Sequence, residues 1–450
     1  MPRMRCIPAI ICSISCSFAT AQYWSDAGVA IDHVGEIGRF YVDTAENKLY
    51  STGVWIENYS QVDQSFHSAI KGESGWTLSA PFDLESTTFV RHRDTLYMGG
   101  TFTYVDGSPM PYAACLVDGI WQSCGSFNQS VRKFKVLDDT LYAVGYFSMI
   151  DGTPCKGVAK RVGNSWECIG ELDCTGCLPV DLIRYQGRLI LSGTITFSGN
   201  PYRHIVQLVD GEWVPVGPQG IYGGLSGAGP LAVFQDELYV GGLIPLSAGN
   251  AGYALQRWNG SVWSPVGEGL KDETGGTGQN IKVKDLLVHD GKLYVCGGFT
   301  FAGNEYAPRI ATWDGAQWCS VGGDFGDNEV TGMAFFNDTL HIACGLDAVV
   351  DGQPIVGVAK FVAPAFENNC SGDTGIPDPN GQAPLRLASH GSGYLLLGHD
   401  SRAALAVRNV LGQEQLTVEM DASGYFELPA SVTGAFVICL ADGRCVRSVR

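Results

Sequence analysis

The sequence predicts an all-β protein in which a four-stranded unit is repeated, followed by a small β-sandwich-like domain. Three observations predict this: a glycine-rich and lightly charged composition, a residue pair that recurs along the chain, and a tryptophan at a fixed distance after each pair. Glycine occupies 59 of 450 positions, close to twice its usual share, while Lys, Arg, Asp and Glu make up 17% instead of about 25%. Such a composition favours short strands and dense turns over helices.

Residues 1–21 are predicted to form a signal peptide. Two arginines precede an apolar run at 6–18, and Ala19-Thr20-Ala21 supplies a small-x-small cleavage site between Ala21 and Gln22. The run is shorter than the roughly 20 residues needed to span a bilayer, and no later stretch qualifies, so no transmembrane segment is expected after cleavage. Lipoprotein processing at Cys16 is an alternative, although Ser13 stands where a large aliphatic residue is expected.

A repeat of 45 to 55 residues organises positions 22–363. The recurring pairs are Leu49-Tyr50, Leu96-Tyr97, Leu141-Tyr142, Leu189-Ile190, Leu238-Tyr239, Leu293-Tyr294 and Leu340-His341. One or two glycines follow most pairs, and Asp-Gly or Asn-Gly turns close the hairpins. Repeats of this length with four short strands each are typical of β-propeller blades, so the sequence predicts a seven-bladed β-propeller.

A tryptophan stands about 25 residues after six of the pairs, and a glycine follows four residues later in nearly every copy, with Ala80 as the exception. The seventh unit lacks its tryptophan, but Trp24 and Gly28 reproduce the motif just after the cleavage site. We therefore expect residues 22–30 to supply the outer strand of the last blade, paired with 356–362, which removes an open sheet edge. The tryptophans are expected to pack between neighbouring blades: Trp24, Trp76, Trp121, Trp166, Trp213, Trp263 and Trp318.

The unit that runs from Gly297-Gly298-Phe299-Thr300-Phe301-Ala302-Gly303 to Arg309-Ile310-Ala311-Thr312-Trp313-Asp314-Gly315-Ala316-Gln317-Trp318 resembles the kelch-like propeller repeats of bacterial and fungal surface proteins. This resemblance specifies a fold but not a function, because propellers serve as enzymes, receptors and scaffolds.

Residues 364–384 are predicted to be a linker because they are rich in Pro, Gly, Asn and Asp. Residues 385–450 follow as a small β-rich domain. Its run Leu405-Ala406-Val407-Arg408-Asn409-Val410-Leu411-Gly412-Gln413-Glu414, its segment Gly424-Tyr425-Phe426-Glu427-Leu428 and its basic end resemble the C-terminal sorting domain (type A) of the type IX secretion system. The resemblance implies export from a Bacteroidota-type bacterium, the secretion machinery as a partner, and a secreted or cell-surface location. An ordinary small β-sandwich is the alternative.

Cysteine usage favours disulfides, because signal-peptide removal leaves an even number in an exported chain. Complete pairing requires Cys370 to join the nine cysteines of 22–363, and Cys439 to pair with Cys445. Cys174-Thr175-Gly176-Cys177 is read as structural; a redox-active pair or half of a zinc site is the alternative.

Motifs for catalysis are scarce. The eight histidines show no zinc-hydrolase spacing, and no Gly-x-Ser-x-Gly elbow or EF-hand pattern occurs, so no cofactor or metal is predicted. A net charge of −17 makes nucleic acid an unsuitable partner. A secreted carbohydrate-active or oxidative enzyme, including a Tyr/Tyr/His/His copper radical oxidase, stays open as the alternative to a binding protein.

A ligand is expected on the face formed by the loops between second and third strands and between blades, which suits a protein or a glycan. The candidate residues are Tyr104, Asp106, Tyr112, Asn200, Tyr202, Arg203, His204, Asn250, Tyr253, Asn304, Tyr306 and Arg309. Turn chemistry explains the same residues without a ligand. Acidic or histidine residues with perturbed pKa values at the channel mouth would favour an enzyme, whereas Tyr, Asn and aliphatic side chains would favour binding.

Overall fold

A computed structural model describes residues 23–29, 37–56, 66–170, 172, 177–195, 204–218, 220–222, 228–246, 249–272, 281–323, 325, 328–345, 348–350, 352–362, 386–390, 393–397, 404–409, 414–421, 425–429, 432, 435–440 and 445–449. These residues form antiparallel sheets and contain no α-helix, so the protein is all-β. The described part of the chain has no helix with the length and apolarity to cross a membrane.

The strands before residue 363 group into seven units, each built on four antiparallel strands, and units 2, 3, 6 and 7 carry further short strands in their connections. β1 is Trp24–Asp26. Unit 1 has β2 (Ile37–Asp43), β3 (Lys48–Ile56), β4 (Phe66–Gly72) and β5 (Gly75–Leu78). Unit 2 has β6 (Ser86–His92), β7 (Thr95–Gly100), β8 (Tyr104–Val105), β9 (Ser108–Pro109), β10 (Ala113–Val117) and β11 (Ile120–Ser123). Unit 3 has β12 (Val131–Leu137), β13 (Thr140–Gly145), β14 (Met149–Ile150), β15 (Thr153–Pro154), β16 (Val158–Val162) and β17 (Ser165–Cys168).

The remaining units follow the same plan. Unit 4 has β18 (Leu178–Tyr185), β19 (Arg188–Thr194), β20 (Ile205–Val209) and β21 (Glu212–Pro215). Unit 5 has β22 (Ala228–Phe234), β23 (Glu237–Gly242), β24 (Leu255–Trp258) and β25 (Trp263–Pro265). Unit 6 has β26 (Leu270–Lys271), β27 (Val283–His289), β28 (Lys292–Gly297), β29 (Phe301–Ala302), β30 (Glu305–Tyr306), β31 (Ile310–Trp313) and β32 (Trp318–Ser320). Unit 7 has β33 (Val330–Phe336), β34 (Thr339–Cys344), β35 (Ala348–Val350), β36 (Gln353–Ile355) and β37 (Val358–Phe361), and β1 pairs with β37.

Neighbouring units meet through their first strands. β2 contacts β6, and the contacts continue through β12, β18, β22, β27 and β33, which in turn contacts β2. The first strands therefore form a closed ring of contacts. The second strands carry the most buried runs, such as Leu141 to Gly145, because both of their faces are covered by neighbouring units. Units 1 and 2 are further joined by a bridge between Gly53 and Ser86.

β1 lies between the two ends of the ring. Trp24 is opposite Phe361 in the register of β1 and β37, and its ring is fully buried against that side chain at 5.1 Å between centroids. The residues after β1 continue into unit 1, where Ala27 and Val29 pack near Trp76. The first described segment thus contacts both the last and the first unit.

Short hairpins occupy the connections between second and third strands. β8 pairs with β9, β14 with β15, β29 with β30, and β35 with β36. Asp106-Gly107 and Asp151-Gly152 form the turns of the first two hairpins, with positive φ at each position. Asp83 anchors the first hairpin, because its carboxylate accepts the N–H groups of Thr103 and Tyr104.

The C-terminal residues form a separate pair of sheets. Their strands are β38 (Arg386–His390), β39 (Gly393–Leu397), β40 (Ala404–Asn409), β41 (Glu414–Glu419), β42 (Tyr425–Phe426), β43 (Ala435–Cys439) and β44 (Cys445–Val449). The sheets have the strand orders β38-β39-β42 and β41-β40-β43-β44. Leu405, Val407 and Ile438 are fully buried in a core of their own.

Candidate functional site

A set of equivalent residues lines the ring of first strands. The first strand of every unit contains a register shift near its beginning. In each of these strands, the residue four positions before the last residue lies at or beside the shift. We call these residues the inner ring: Arg39, Thr88, Lys133, Asp181, Pro230, Asp285 and Gly332. A bulge re-aims side chains and strengthens local twist, so its repetition marks one structural position in all seven units.

Three inner-ring side chains accept hydrogen bonds from backbone N–H groups of the next unit. Thr88 Oγ1 accepts the N–H of Phe134 at 3.1 Å. One carboxylate oxygen of Asp181 accepts the N–H of Leu231 at 3.2 Å, and the other accepts the N–H of Leu182. Asp285 has the same arrangement, with Oδ2 accepting from Met333 and Oδ1 from Leu286. Both oxygens of each carboxylate are therefore engaged by backbone donors, which identifies these aspartates as links between units.

Lysines surround one of these carboxylates. The Asp181 carboxylate lies 4.0 Å from Lys133 Nζ and 3.4 Å from Lys135 Nζ. Burial acts to raise the pKa of Asp181, but the charges of Lys133, Lys135 and Arg39 outweigh it and lower that pKa to about 2. Burial lowers the pKa of Lys133 to about 8, against the attraction of Asp181. Asp181 is thus the ionised partner of a lysine pair.

Arg39 reaches across a neighbouring unit. Its Nη2 donates to the carbonyl oxygen of Lys284 in unit 6 at 3.2 Å, although unit 7 lies between units 6 and 1 in the ring of first strands. Gly332 makes room for this approach, since a Cβ there would stand 2.9 Å from the Arg39 Cα. Asp285 is also in unit 6; burial raises the pKa of its carboxyl, and the charges of Arg39 and Lys133 oppose the rise.

A cavity of about 270 Å³ opens along the first strands of units 1, 2 and 3. Its lining residues are Arg39, Phe40, Tyr41, Thr52, Thr87, Thr88, Phe89, Val90, Lys133, Phe134, Lys135 and Val136. The charged members of this set are all cationic, and three threonines add hydroxyl groups. We call this cavity the basic recess. The chain as a whole has a net charge of −17, so the recess is a local positive region that attracts an anion.

The predicted ligand-face residues do not form one cluster in the described part of the chain. Tyr104, Asn304 and Tyr306 are exposed, and Asp106 lies in the turn between β8 and β9. Tyr112 and Arg309 take positive φ angles ahead of third strands, and the Asn250 amide bonds to the backbone of Tyr222. His204 and Tyr253 are buried inside the protein. Asn200, Tyr202 and Arg203, like Ala21 and Gln22, lie outside the described residues.

The repeat tryptophans lie at the contacts between units. Six of the indole N–H groups donate to a backbone carbonyl of the preceding unit, at 2.6 to 3.2 Å. In each case the accepting residue stands three or four positions after the tryptophan of that preceding unit. The pairs are Trp24 to Gly322, Trp76 to Ala27, Trp166 to Cys124, Trp213 to Ile169, Trp263 to Val216 and Trp318 to Val266. Trp121 packs against the core that contains Phe82 and Met98. The following glycines leave the space that the next indole fills; a Cβ at Gly170 would stand 2.6 Å from Trp213 Nε1.

The expectation that every cysteine is paired is wrong. Cys155 and Cys168 form a disulfide, and Cys177, Cys319 and Cys439 are also disulfide-bonded. Cys115, Cys124, Cys296 and Cys344 carry buried free thiols. The parity argument fails because a small buried thiol is an ordinary core residue that needs no disulfide partner. Cys174 and Cys370 lie outside the described residues.

Metal ligation finds no support in the described residues, where no three His, Cys, Asp or Glu side chains come together as potential ligands.

Sequence reasoning missed the inner ring and the basic recess. The available signal was weak: a charged or hydroxyl residue four positions before each predicted first turn, interrupted by Pro230 and Gly332.

No family model and no curated protein matches the chain. Among solved structures, it is similar to PorZ, an essential bacterial surface component of the type-IX secretion system of Porphyromonas gingivalis, with 12% identity and a TM-score of 0.43 over 94% of this chain and 60% of that one. It is also similar to the β-propeller domain of the trilobed protease of Pyrococcus furiosus, with 10% identity and a TM-score of 0.44 over 73% of this chain and 96% of that one. Acylaminoacyl peptidase of Pyrococcus horikoshii matches at 11% identity and a TM-score of 0.41, over 90% of this chain and 58% of that one. The chain thus spans about 60% of the length of the PorZ structure.

Proposed function

We propose that the protein is an exported seven-bladed β-propeller that acts as a binding module for a carboxylate-bearing protein or glycan. Residues 22–363 form the propeller, and residues 22–30 close its last blade. Seven four-stranded units, the closed contacts among their first strands and the pairing of β1 with β37 support this architecture. The observation that carries the binding role is the basic recess.

The recess suits a carboxylate for two reasons. Arg39, Lys133 and Lys135 place three cationic groups along one wall, and charge-assisted bonds from such groups are stronger than neutral ones. Only part of this charge is used internally: Asp181 pairs with the two lysines, while Arg39 bonds to a neutral carbonyl. The threonines and Tyr41 can then orient the uncharged part of the ligand.

An enzymatic role is the second candidate and finds less support. Acid–base catalysis needs a carboxylate or imidazole that is free to exchange a proton with the substrate. The inner ring contains carboxylates with perturbed pKa values, which is the feature expected of an enzyme. However, backbone N–H groups occupy both oxygens of Asp181 and of Asp285. These bonds favour a linking role for the two aspartates over a catalytic one.

Residues 364–384 and 385–450 are proposed as a linker and a type IX sorting domain that directs the protein to the secretion machinery. The sequence resemblance carries this assignment. The two C-terminal sheets and their separate core are compatible with an independent domain. A secreted or cell-surface location follows from the proposal, together with removal of the signal peptide between Ala21 and Gln22.

Calorimetric titration tests the binding role. The probes are an oligogalacturonate and a glutamate-rich peptide, with a neutral galactose oligomer as the uncharged reference. We expect binding of at least one anionic probe, weakened by salt, and a loss of about tenfold in affinity for Lys135→Gln, since one charge-assisted bond contributes about 1.5 kcal/mol or more.

Lys160→Gln is the matched control, because Lys160 forms an exposed ion pair with Glu167 outside the recess. The control should bind as the unmodified protein does. Equal binding of neutral and anionic oligomers, or equal losses in the two variants, would contradict the assignment to the recess.

A further inference from the structure

A second cleft, of about 510 Å³, lies beside the outer hairpin of unit 2 and holds two thiols. Cys115 is on β10 opposite Gln122 of β11, and Cys124 follows Gln122 by two residues. Side chains two residues apart in an extended strand share a face, so both thiols lie on the same side of the hairpin. They approach closely enough for the Cys124 thiol to hydrogen-bond to the Cys115 sulfur.

We propose that Cys115 and Cys124 form a thiol–disulfide exchange site, at which a small disulfide compound oxidises the two thiols to an intramolecular disulfide. The Cys115 thiolate attacks one sulfur of the compound and releases the other half as a thiolate, leaving a mixed disulfide. Cys124 transfers its proton to that released thiolate, and its sulfur then attacks Cys115 Sγ and expels the second half as a thiolate, which takes up the proton that Cys115 gave to solvent. Two protein thiols are oxidised and one disulfide compound is reduced to two thiols.

The surroundings assign the attacking role to Cys115. The hydrogen bond from Cys124 lowers the pKa of the Cys115 thiol, and the Arg161 guanidinium lowers it further, while burial opposes both. The same bond and burial raise the pKa of Cys124 well above its ordinary value. Thiolates are the nucleophiles in exchange, so the pair divides into an attacking and a resolving thiol.

Arg161 is held in place at the cleft. Its Nη1 donates to the carbonyl oxygen of Cys124 at 2.7 Å, and its guanidinium lies 5.2 Å from the centroid of the Trp166 ring. A fixed positive charge beside the thiols favours disulfide compounds with carboxylates. Since Cys115 and Cys124 are only 8% and 3% exposed, the cleft admits a small molecule more readily than a protein oxidant.

The other described thiols provide an internal contrast. Burial raises the pKa of Cys296 well above its ordinary value and that of Cys344 to about 12. Neither of them lines this cleft. Cys155 and Cys168 already form a disulfide in unit 3. Reactivity toward a small disulfide is therefore expected at one pair and not at every cysteine.

The test uses oxidised glutathione on the full chain after mild reduction, followed by alkylation, intact mass measurement and peptide mapping. The expected product links Cys115 to Cys124 and retains no glutathione. In Cys124→Ser, one glutathione should remain on Cys115, because the resolving thiol is absent. In Cys115→Ser, incorporation at Cys124 should be slower by about tenfold or more, because its thiol is mostly protonated.

Cys296→Ser is the matched control and should give the same product as the unmodified protein; melting curves check that each variant is folded. Free thiols at both positions after oxidation would overturn the proposal. So would equal incorporation in the two single variants, or a Cys115–Cys124 bond that resists reductant after Cys155–Cys168 has been reduced. None of these outcomes depends on the basic recess, so the exchange site and the binding role are tested independently.

Discussion

His341 shows at the residue scale how one position of the repeat acquires a new property. Five other units carry tyrosine at this place in the second strand, and unit 4 carries Ile190. The His341 ring is buried, and its Nδ1–H donates to the carbonyl oxygen of Thr339 at 2.9 Å. Burial lowers the pKa of this imidazole to about 4, against a small opposing effect of that bond.

Replacing His341 by tyrosine should make stability less sensitive to acid. In the unfolded chain a histidine binds its proton near pH 6.5, whereas in the folded protein His341 stays neutral until about pH 4. The contribution to the free energy of unfolding is thus complete above pH 6.5 and is lost as pH falls from 6.5 to 4. We expect the stability difference between variant and unmodified protein to change by about 2–3 kcal/mol over this window. Urea denaturation at several pH values measures it, and a constant difference would contradict the assignment.

At the element scale, the glycine that follows the outer strand matters because of the next unit. Gly170 has φ +62°, and a Cβ there would collide with the Trp213 indole that donates to the Ile169 carbonyl. Gly163, in the turn before β17, has a similar φ of +57° but open space around it. Comparing the two glycines therefore distinguishes the cost of a left-handed backbone conformation, which both share, from the cost of a clash with a neighbouring side chain, which only Gly170 has.

Gly170→Ala should therefore destabilise the protein more than Gly163→Ala. The turn substitution carries the conformational cost of a left-handed alanine, about 1–2 kcal/mol. At position 170 we expect a further 1–3 kcal/mol from the clash with the indole. Denaturant midpoints compare the two, and equal losses would mean that Trp213 moves aside without cost.

The sequence predicted these elements well where turn chemistry is explicit. For unit 6 it predicts strands at 285–288 and 292–296 around the turn His289-Asp290-Gly291. In the structure β27 ends at His289, the first residue of that turn, and β28 begins at Lys292 directly after it. The residues after Phe299 show no strand pattern in the sequence, whereas β29 and β30 pair there in the structure. A two-residue strand is too short to show an alternating apolar pattern in the sequence. Such short hairpins are stabilised by contacts with the rest of the folded protein.

At the scale of the whole molecule, a three-residue strand reinforces the closure of the ring. β1 pairs with β37, the Trp24 indole bonds to the Gly322 carbonyl of unit 6, and the Ala27 carbonyl accepts the Trp76 indole N–H of unit 1. The segment therefore connects the last units to the first. Without it, β37 would present an open edge and Trp76 would lose a partner.

Removing Trp24 should destabilise the whole ring. For Trp24→Ala we expect a loss of about 3–5 kcal/mol, because a fully buried indole is deleted. Amide exchange should become faster in β37, which loses part of its packing. Trp121→Ala is the matched control, since Trp121 is only partly buried and lies away from the closure. An unchanged melting curve for Trp24→Ala would contradict this account of the segment.

The sequence by itself determined the all-β class, the turns between strands, the glycine and tryptophan positions and the duplicate motif at Trp24. Each of these is local or periodic, so it can be recognised along the chain. Tertiary structure decided what no single unit contains: Arg39 bonding to unit 6, Asp181 among lysines of unit 3, and thiols left free where parity suggested disulfides. The physical reason is that charge and burial depend on neighbours far away along the chain, such as Lys135 and Asp181, which are 46 residues apart and which only the folded chain brings together.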